Sequence, residues 1–453
     1  MNADALGRFE DTASRLVKMA LEKGATDAEC TIAEGEEFSV NVRMGEIETL
    51  TQSGSRGAGL RVLVGKHTGS AYTSDMSEDG LRFMVDSALD LAKITTEDPH
   101  AGLPDAEDFG RLTTDLQLYS ESIDSLPPEE KIARAKKAEA AALAFDPRVS
   151  NSDGSSFDTH RGGHAFANSR GFVGSYRATS CSMSAVPVAK DGESMERDYW
   201  MTAARSLDRM EAPELVGRTA AERTVRRLGA RKVATQKVPI VFEPRTARSL
   251  LGHLFEAISG DSIYRHESYL EGRLGDKVAT AKLTVVDDGT IPGLFGSSPF
   301  DDEGVPSRRT VVVDKGILKN YLLNTYTARK LGMKTTGNAS RGLTGNASVG
   351  HNNFYVENGD TPAADMIRGI KNGFYVTELM GDGVNVVTGD YSRGAAGIWI
   401  KNGELTYPVH EVTIAGTLEE MFQNLDTIGS DLEFRGSVAA PTLLIGEMTV
   451  SGQ

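Results

Sequence analysis

A chain of 453 residues is longer than one ordinary hydrophobic core fills, so two or three domains are expected. Its formal net charge of −15, with no basic patch interleaved with aromatics, argues against a nucleic-acid binder, because phosphate contacts need clustered Lys and Arg. No run of about 18 apolar residues exists, which argues against a membrane-spanning helix.

The opening stretch MNADALGRFEDTASRLVKMALEKG places Leu6, Phe9, Ala13, Leu16, Val17 and Ala20 at helical spacing, and Gly24 supplies a stop. Its acidic residues separate it from a signal peptide, and two cysteines, Cys30 and Cys181, are too few for a disulfide framework. A cytoplasmic location is therefore expected. Period-two alternation in Phe38-Val40-Val42 and Leu60-Val62-Val64, with Gly-rich breaks between, predicts antiparallel strands. Ser77 then opens a helix over 78–94. Residues 95–126, rich in Asp, Glu, Ser and Pro, read as a long surface connection. PPEEKIARAKKAEAAALAF reads as a helix begun by prolines and acids, where the helix dipole favours them. Strands and turns return over 148–207. A helix over 213–228 carries many arginines, which are expected to form a solvated face.

Composition shifts at RKVATQKVPIVFEP, beyond which the chain is strand-rich and glycine-rich, with short helical patterns near 245–258, 324–331 and 362–371. The predicted fold class is α+β, divided into a helix-flanked antiparallel-sheet domain over 1–234 and a strand-rich domain over 235–453. TGNASRGLTGNAS repeats residues 336–340 at 344–348, a local duplication too short for a solenoid.

The chemistry-bearing residues sit in that second half. His253 and Glu256, at i and i+3 of a predicted helix, face one region of space, and His266 is the nearest further nitrogen. A catalytic zinc takes three protein ligands and keeps one position for water, so these three residues define one candidate hydrolytic site. Neither His266-Glu267 nor His410-Glu411 completes the two-histidine zinc motif, because Leu270 and Ile414 occupy the fourth following position. HEVTIAG at 410–416 alternates as a strand does, which points His410 and Glu411 to opposite faces. In MGDGVNVVTGDYSRGAAG, Gly381, Gly383 and Gly389 let backbone approach a peptide closely, although tight turns between strands account for them equally. No Walker loop, Rossmann fingerprint or G-x-S-x-G elbow is present.

Three segments together, FEPRTARSLLGHLFEAISGDS, TGNASRG and YPVHEVTIAGTLEEMFQNLDTIGSD, resemble the TldD/PmbA family and, within it, the PmbA (TldE) branch. The resemblance runs over nearly the whole length. It implies a cytoplasmic two-subunit metallopeptidase that digests unfolded peptides. In it a TldD-like partner carries zinc on a His-Glu-x-x-x-His helix followed by Gly-Asp, with a C-terminal Cys as third ligand. Aligning that Gly-Asp with Gly260 and Asp261 puts the first His on Leu251, the Glu on Gly252 and the second His on Glu256, and GSVAAPTLLIGEM offers no cysteine. The expectation is a subunit with no metal or cofactor of its own, which completes the substrate cleft beside a zinc-bearing TldD-like subunit. Its net charge points to basic or neutral unfolded peptides. Two alternatives stand beside it: an autonomous metal-dependent hydrolase using His253, Glu256 and His266, and a homodimeric peptide-binding protein.

Overall fold

Helix α1 (Ala3–Glu22) and helix α2 (Glu78–Ile94) turn their apolar stripes onto the same sheet. The structure is a computed structural model and describes residues 3–452, with side chains from residue 5 onward. Seven antiparallel strands form that sheet: β1 (Asp27–Arg43), β2 (Glu46–Val64), β3 (His67–Thr73), β4 (Val149–Asn168), β5 (Val173–Asp191), β6 (Ser194–Arg197) and β7 (Trp200–Ala204). They lie in the order β3-β2-β1-β4-β5-β6, with β7 also on β5. The alternation seen in the sequence decides what each helix covers. Cys30 and Ile32 of β1 meet Leu16, Val17, Val85 and Ala88, whereas Phe38 and Val40, on the same face further along, meet a second helix pair. That pair is α4 (Pro128–Leu143) and α5 (Pro213–Val225), each begun by a proline at its first turn. Ser77 caps α2 by accepting the Gly80 N–H.

Two expectations change here. The connection over 95–126 is not merely superficial: Ala101 and Leu103 are buried against Leu63, and the chain makes a helical turn, α3 (Glu121–Asp124), whose Ile123 joins the core. The arginine-bearing stretch of α5 and the turn after it is a solvated face only in part: Arg218 is exposed, but the others turn inward. Arg223 is only 5% exposed and donates two hydrogen bonds to Glu243, at 2.7 and 3.0 Å, while its Nε lies 3.2 Å from Asp198. Arg227 pairs with Glu196 at 3.2 Å and Glu378 at 2.5 Å. The carboxylates lie far along the chain, so nothing local in the sequence announces the pairing.

The second half is built around a ring of strands. β8 (Gln236–Phe242) runs parallel to Asn372–Met380 on one side and antiparallel to Leu443–Ser451 on the other. Leu443–Ser451 pairs with Glu404–Thr417, that strand with Asp390–Lys401, and Asp390–Lys401 pairs back onto Asn372–Met380, closing a five-stranded barrel. A second sheet centres on Val285–Asp288, between Arg309–Asp314 and Asn353–Val356. One continuous core fills the barrel and this sheet. The helical patterns of the sequence form α6 (Pro244–Ile258), Thr325–Leu331 and Ala363–Arg368. Strict alternation in HEVTIAG fails at Glu411, whose φ of +50° marks a bulge, and Glu411 reaches Lys232 at 2.9 Å.

The duplicated motif is used twice and differently. Asn338 of the first copy is buried and donates to the carboxylate of Asp287 at 2.7 Å. Asn346 of the second accepts from Arg61 of the first sheet at 3.1 Å. Between the copies stands Arg341, which converges with Arg61 of β2 on the fully buried Glu29, so this loop anchors the two halves together.

Candidate functional site

Strand β8 passes directly into α6, and Glu243, the residue before the helix, receives Arg223. Leu250, Leu251, Leu254, Ala257 and Ile258 recur at helical spacing and are all buried in the main core. The opposite face carries Arg245, Arg248, Ser249 and Gly252, at i, i+3, i+4 and i+7, and forms one wall of a cleft of about 850 Å³. Helix α7 (Gly260–Tyr264) follows, capped by the Ser259 hydroxyl, and Asp261 accepts the Val349 N–H at 2.8 Å.

Two strand segments form the facing walls. β8 covers Asn372–Met380 only at Phe374, Tyr375 and Val376, because the chain then leaves for α6. Beyond that point Thr377, Glu378 and Leu379 line the cleft with an edge that β8 does not pair. Gly436, Ser437 and Val438 line another side. The charges are unbalanced: five arginines face two carboxylates, Asp198 and Glu378. Both carboxylates are already engaged, Glu378 by Arg227 and Asp198 by Arg223 and Arg245. Arg245 also stacks on Tyr199, 3.9 Å from the ring centroid. Arg393 donates its Nε–H to the Gly381 carbonyl at 2.8 Å. Arg248 has no hydrogen-bond or ion-pair partner among the described residues.

None of the candidate site residues singled out from sequence lines this cleft, and they do not form one centre. His253 is half-buried, its ring 6.2 Å from that of Tyr391, and its Nε2 is buried with no partner among the described residues. Burial, then the Arg393 guanidinium, holds its pKa below the ordinary histidine value, against the opposite pull of Asp382. Glu256 is exposed. His266 lies past the end of α7 in a left-handed backbone conformation, its side chain 77% exposed and 2.6 Å from Glu271. Among the described residues no three His, Cys, Asp or Glu side chains group as a metal ion needs, so these three do not come together. The glycines have turn duties. A Cβ on Gly383 would lie 2.0 Å from the Ser392 carbonyl oxygen, while Gly381 and Gly389 adopt φ of +72° and +81°. None of the three lines the cleft; Gly381 enters it only through its hold on Arg393.

Arg245, Arg248 and Arg393 are what sequence reasoning passed over. The signal for the first two was present: a polar stripe opposite the apolar stripe of α6. Arg393 arrives from the barrel and carries no local mark.

Comparison with known proteins places this geometry. Family models of the PmbA/TldA metallopeptidases match as domain 1 over residues 28–92, the central domain over 121–228 and the C-terminal domain over 235–452. Metalloprotease PmbA of Escherichia coli O157:H7 is 38% identical over 446 residues, covering 98% of this chain and 96% of that protein. The chain belongs to the PmbA/TldD metallopeptidase family, as a member of the PmbA/TldE type. A Bacteroides thetaiotaomicron crystal structure, described as a candidate modulator of DNA gyrase, superposes with a TM-score of 0.91 at 28% identity, covering 98% of this chain and 99% of that one. TldE from Thermococcus kodakarensis shares the fold, with a TM-score of 0.86 at 21% identity over 97% of this chain and 99% of that one. Among the described residues no helix is long and apolar enough to cross a membrane.

On the alignment that the resemblance implies, the zinc helix of a TldD-like chain would fall on α6. The positions of its two histidines and glutamate hold a buried aliphatic side chain, Leu251, an exposed carboxylate, Glu256, and no side chain at all, Gly252. This donor set does not fit a zinc ion.

Proposed function

We propose that this chain is the non-catalytic PmbA/TldE-type subunit of a heteromeric cytoplasmic metallopeptidase. In this reading a TldD-like partner brings the zinc, and this chain holds part of an extended, unfolded peptide. One observation carries the reading. Leu251 is fully buried among the leucines of α6, so the helix keeps its place in the core by an apolar contact where a ligand would have to turn outward. Water bound to zinc becomes acidic near neutrality and needs a base to take its proton; Gly252 supplies no base. Support for a peptide-holding role comes from the unpaired edge at Thr377–Leu379, where an extended backbone can add as a strand.

The test is reconstitution. The isolated chain should contain far less than one zinc per molecule and leave an unstructured peptide intact. Adding a TldD-like subunit should give chelator-sensitive cleavage. A tightly held stoichiometric zinc in the isolated chain, lost on His253→Ala, would defeat the proposal.

A further inference from the structure

We propose that the cleft over the outer face of α6 is an anion subsite, which takes a carboxylate of the bound peptide through Arg248 and Arg393. This deepens the reading above and rests on it. The argument begins with partners. Of the five arginines lining the cleft, Arg197, Arg227 and Arg245 each have a carboxylate of this chain within 3.4 Å, namely Asp153, Glu378 and Asp198. Arg393 is held only by a neutral carbonyl, and Arg248 is held by nothing among the described residues. A guanidinium keeps its charge at any physiological pH and presents a planar fork that matches a carboxylate. An unpaired one in a concave wall, beside carboxylates already occupied, is a vacancy for an anion.

The cleft also fits a peptide better than other anions. The unpaired edge at Thr377–Leu379 offers backbone hydrogen bonds to an extended chain, and a phosphate ion or sugar has no use for such an edge. Gly252 leaves room on the helix wall, since a Cβ there would meet nothing within 4 Å. The protein as a whole carries −15, which repels polyanions, so positive charge confined to one cleft selects a single carboxylate on a short chain. Net charge alone points to basic or neutral peptides; the local field at the cleft points the other way. The carboxylate has two possible sources, the C-terminal α-carboxylate and an acidic side chain.

Calorimetric titration of the full chain separates them with three short, N-acetylated, unstructured peptides of Gly, Ser and Val. One has a free C-terminal acid, one a C-terminal amide, and one the amide with a single internal Glu. Either acidic peptide should bind about tenfold or more tightly than the plain amide, and the better of the two names the source. Arg248→Ala should erase that preference, Arg248→Lys should restore part of it, and Arg56→Ala, which removes an equal charge from exposed β2, should leave it intact. Gly252→Leu should block all three peptides, because it fills the cleft without disturbing a buried contact. Equal binding of all three peptides to the wild-type chain overturns the anion subsite and leaves the peptide cleft standing. No binding by any of them, alone or with the TldD-like subunit present, overturns both.

Discussion

Two groups of arginines flank the junction between β8 and α6, and they have opposite fates. Those of α5 and the turn after it that face inward are matched: the buried Arg223 is gripped by Glu243 and Asp198, and the half-buried Arg227 by Glu196 and Glu378, while Arg218 stays exposed. Those on the far side, Arg248 and Arg393, face an open cleft with no carboxylate of their own among the described residues. A charge that the fold satisfies belongs to the architecture. A charge that the fold brings into a concavity and leaves unmatched is available to something else. Residue type and sequence position do not separate the two groups; only the partners do.

The comparison can be broken most forcefully on its buried side. Glu243→Ala takes both hydrogen bonds from Arg223 and leaves it, in a site nearly closed to water, with Asp198 as its remaining carboxylate; the loss should be about 3 kcal/mol by urea denaturation. A loss below about 1 kcal/mol, the range of a surface ion pair, would erase the distinction between the groups.

Asp287 lies between the extremes, a buried carboxylate with neutral amide partners. Burial raises its pKa to about 6, against the hydrogen bonds from Asn338 and Asn352 that lower it. The folded chain therefore keeps a proton that the unfolded chain releases near its ordinary value. The stability this gives is full at acid pH, falls as pH rises towards 6, and does not change above that. Relative to wild type, Asp287→Asn should gain about 2–3 kcal/mol between about pH 4 and about pH 7. Parallel denaturation curves for the two proteins at both pH values would remove Asp287 from the set of strained groups.

A smaller effect is expected at the hairpin that delivers Arg393. Gly389→Val forces a β-branched residue to a φ of +81° with Tyr269 3.6 Å from the new Cβ, costing about 1–2 kcal/mol in thermal unfolding. The smallest effect belongs to Glu256→Ala. An exposed carboxylate without a partner among the described residues should change stability by less than about 0.5 kcal/mol, and turnover of the reconstituted pair should stay at the wild-type rate. Abolished turnover there, with Gly389→Val silent, would move the cleft to other residues.

The sequence made the helices legible because their information is local. Ser77 before 78–94, the prolines that open α4 and α5, and the apolar stripe of α6 are all written within a few turns of chain. What it concealed was set by distance. Part of the solvated face expected over 213–228 is an inward ionic lock, at Arg223 and Arg227, because Glu243 and Glu378 come from elements that only folding brings near. The closing of the barrel depends on β8 lying parallel to Asn372–Met380, and no periodicity encodes a neighbour. The same holds at the site. His253 and Glu256 drew attention as residue types, whereas the cleft is bordered by arginines contributed by α6 and by a strand of the barrel.

The barrel has a consequence for how the chain is made. β8 is its first strand to leave the ribosome, and Leu443–Ser451, which lies against β8, is the last. Until that final segment emerges, the edge of β8 and the leucines of α6 wait without their cover. By contrast, every strand of the first sheet is present before β8 is synthesised. The first half can fold while translation continues, and the second must hold its apolar strands apart until Leu443–Ser451 has been made. Such late, long-range pairing is slow and exposed to aggregation. During synthesis the half that carries α6 is the half most in need of a chaperone, and a ribosome stalled a few residues short of Leu443 would leave a folded first sheet joined to a barrel that cannot close.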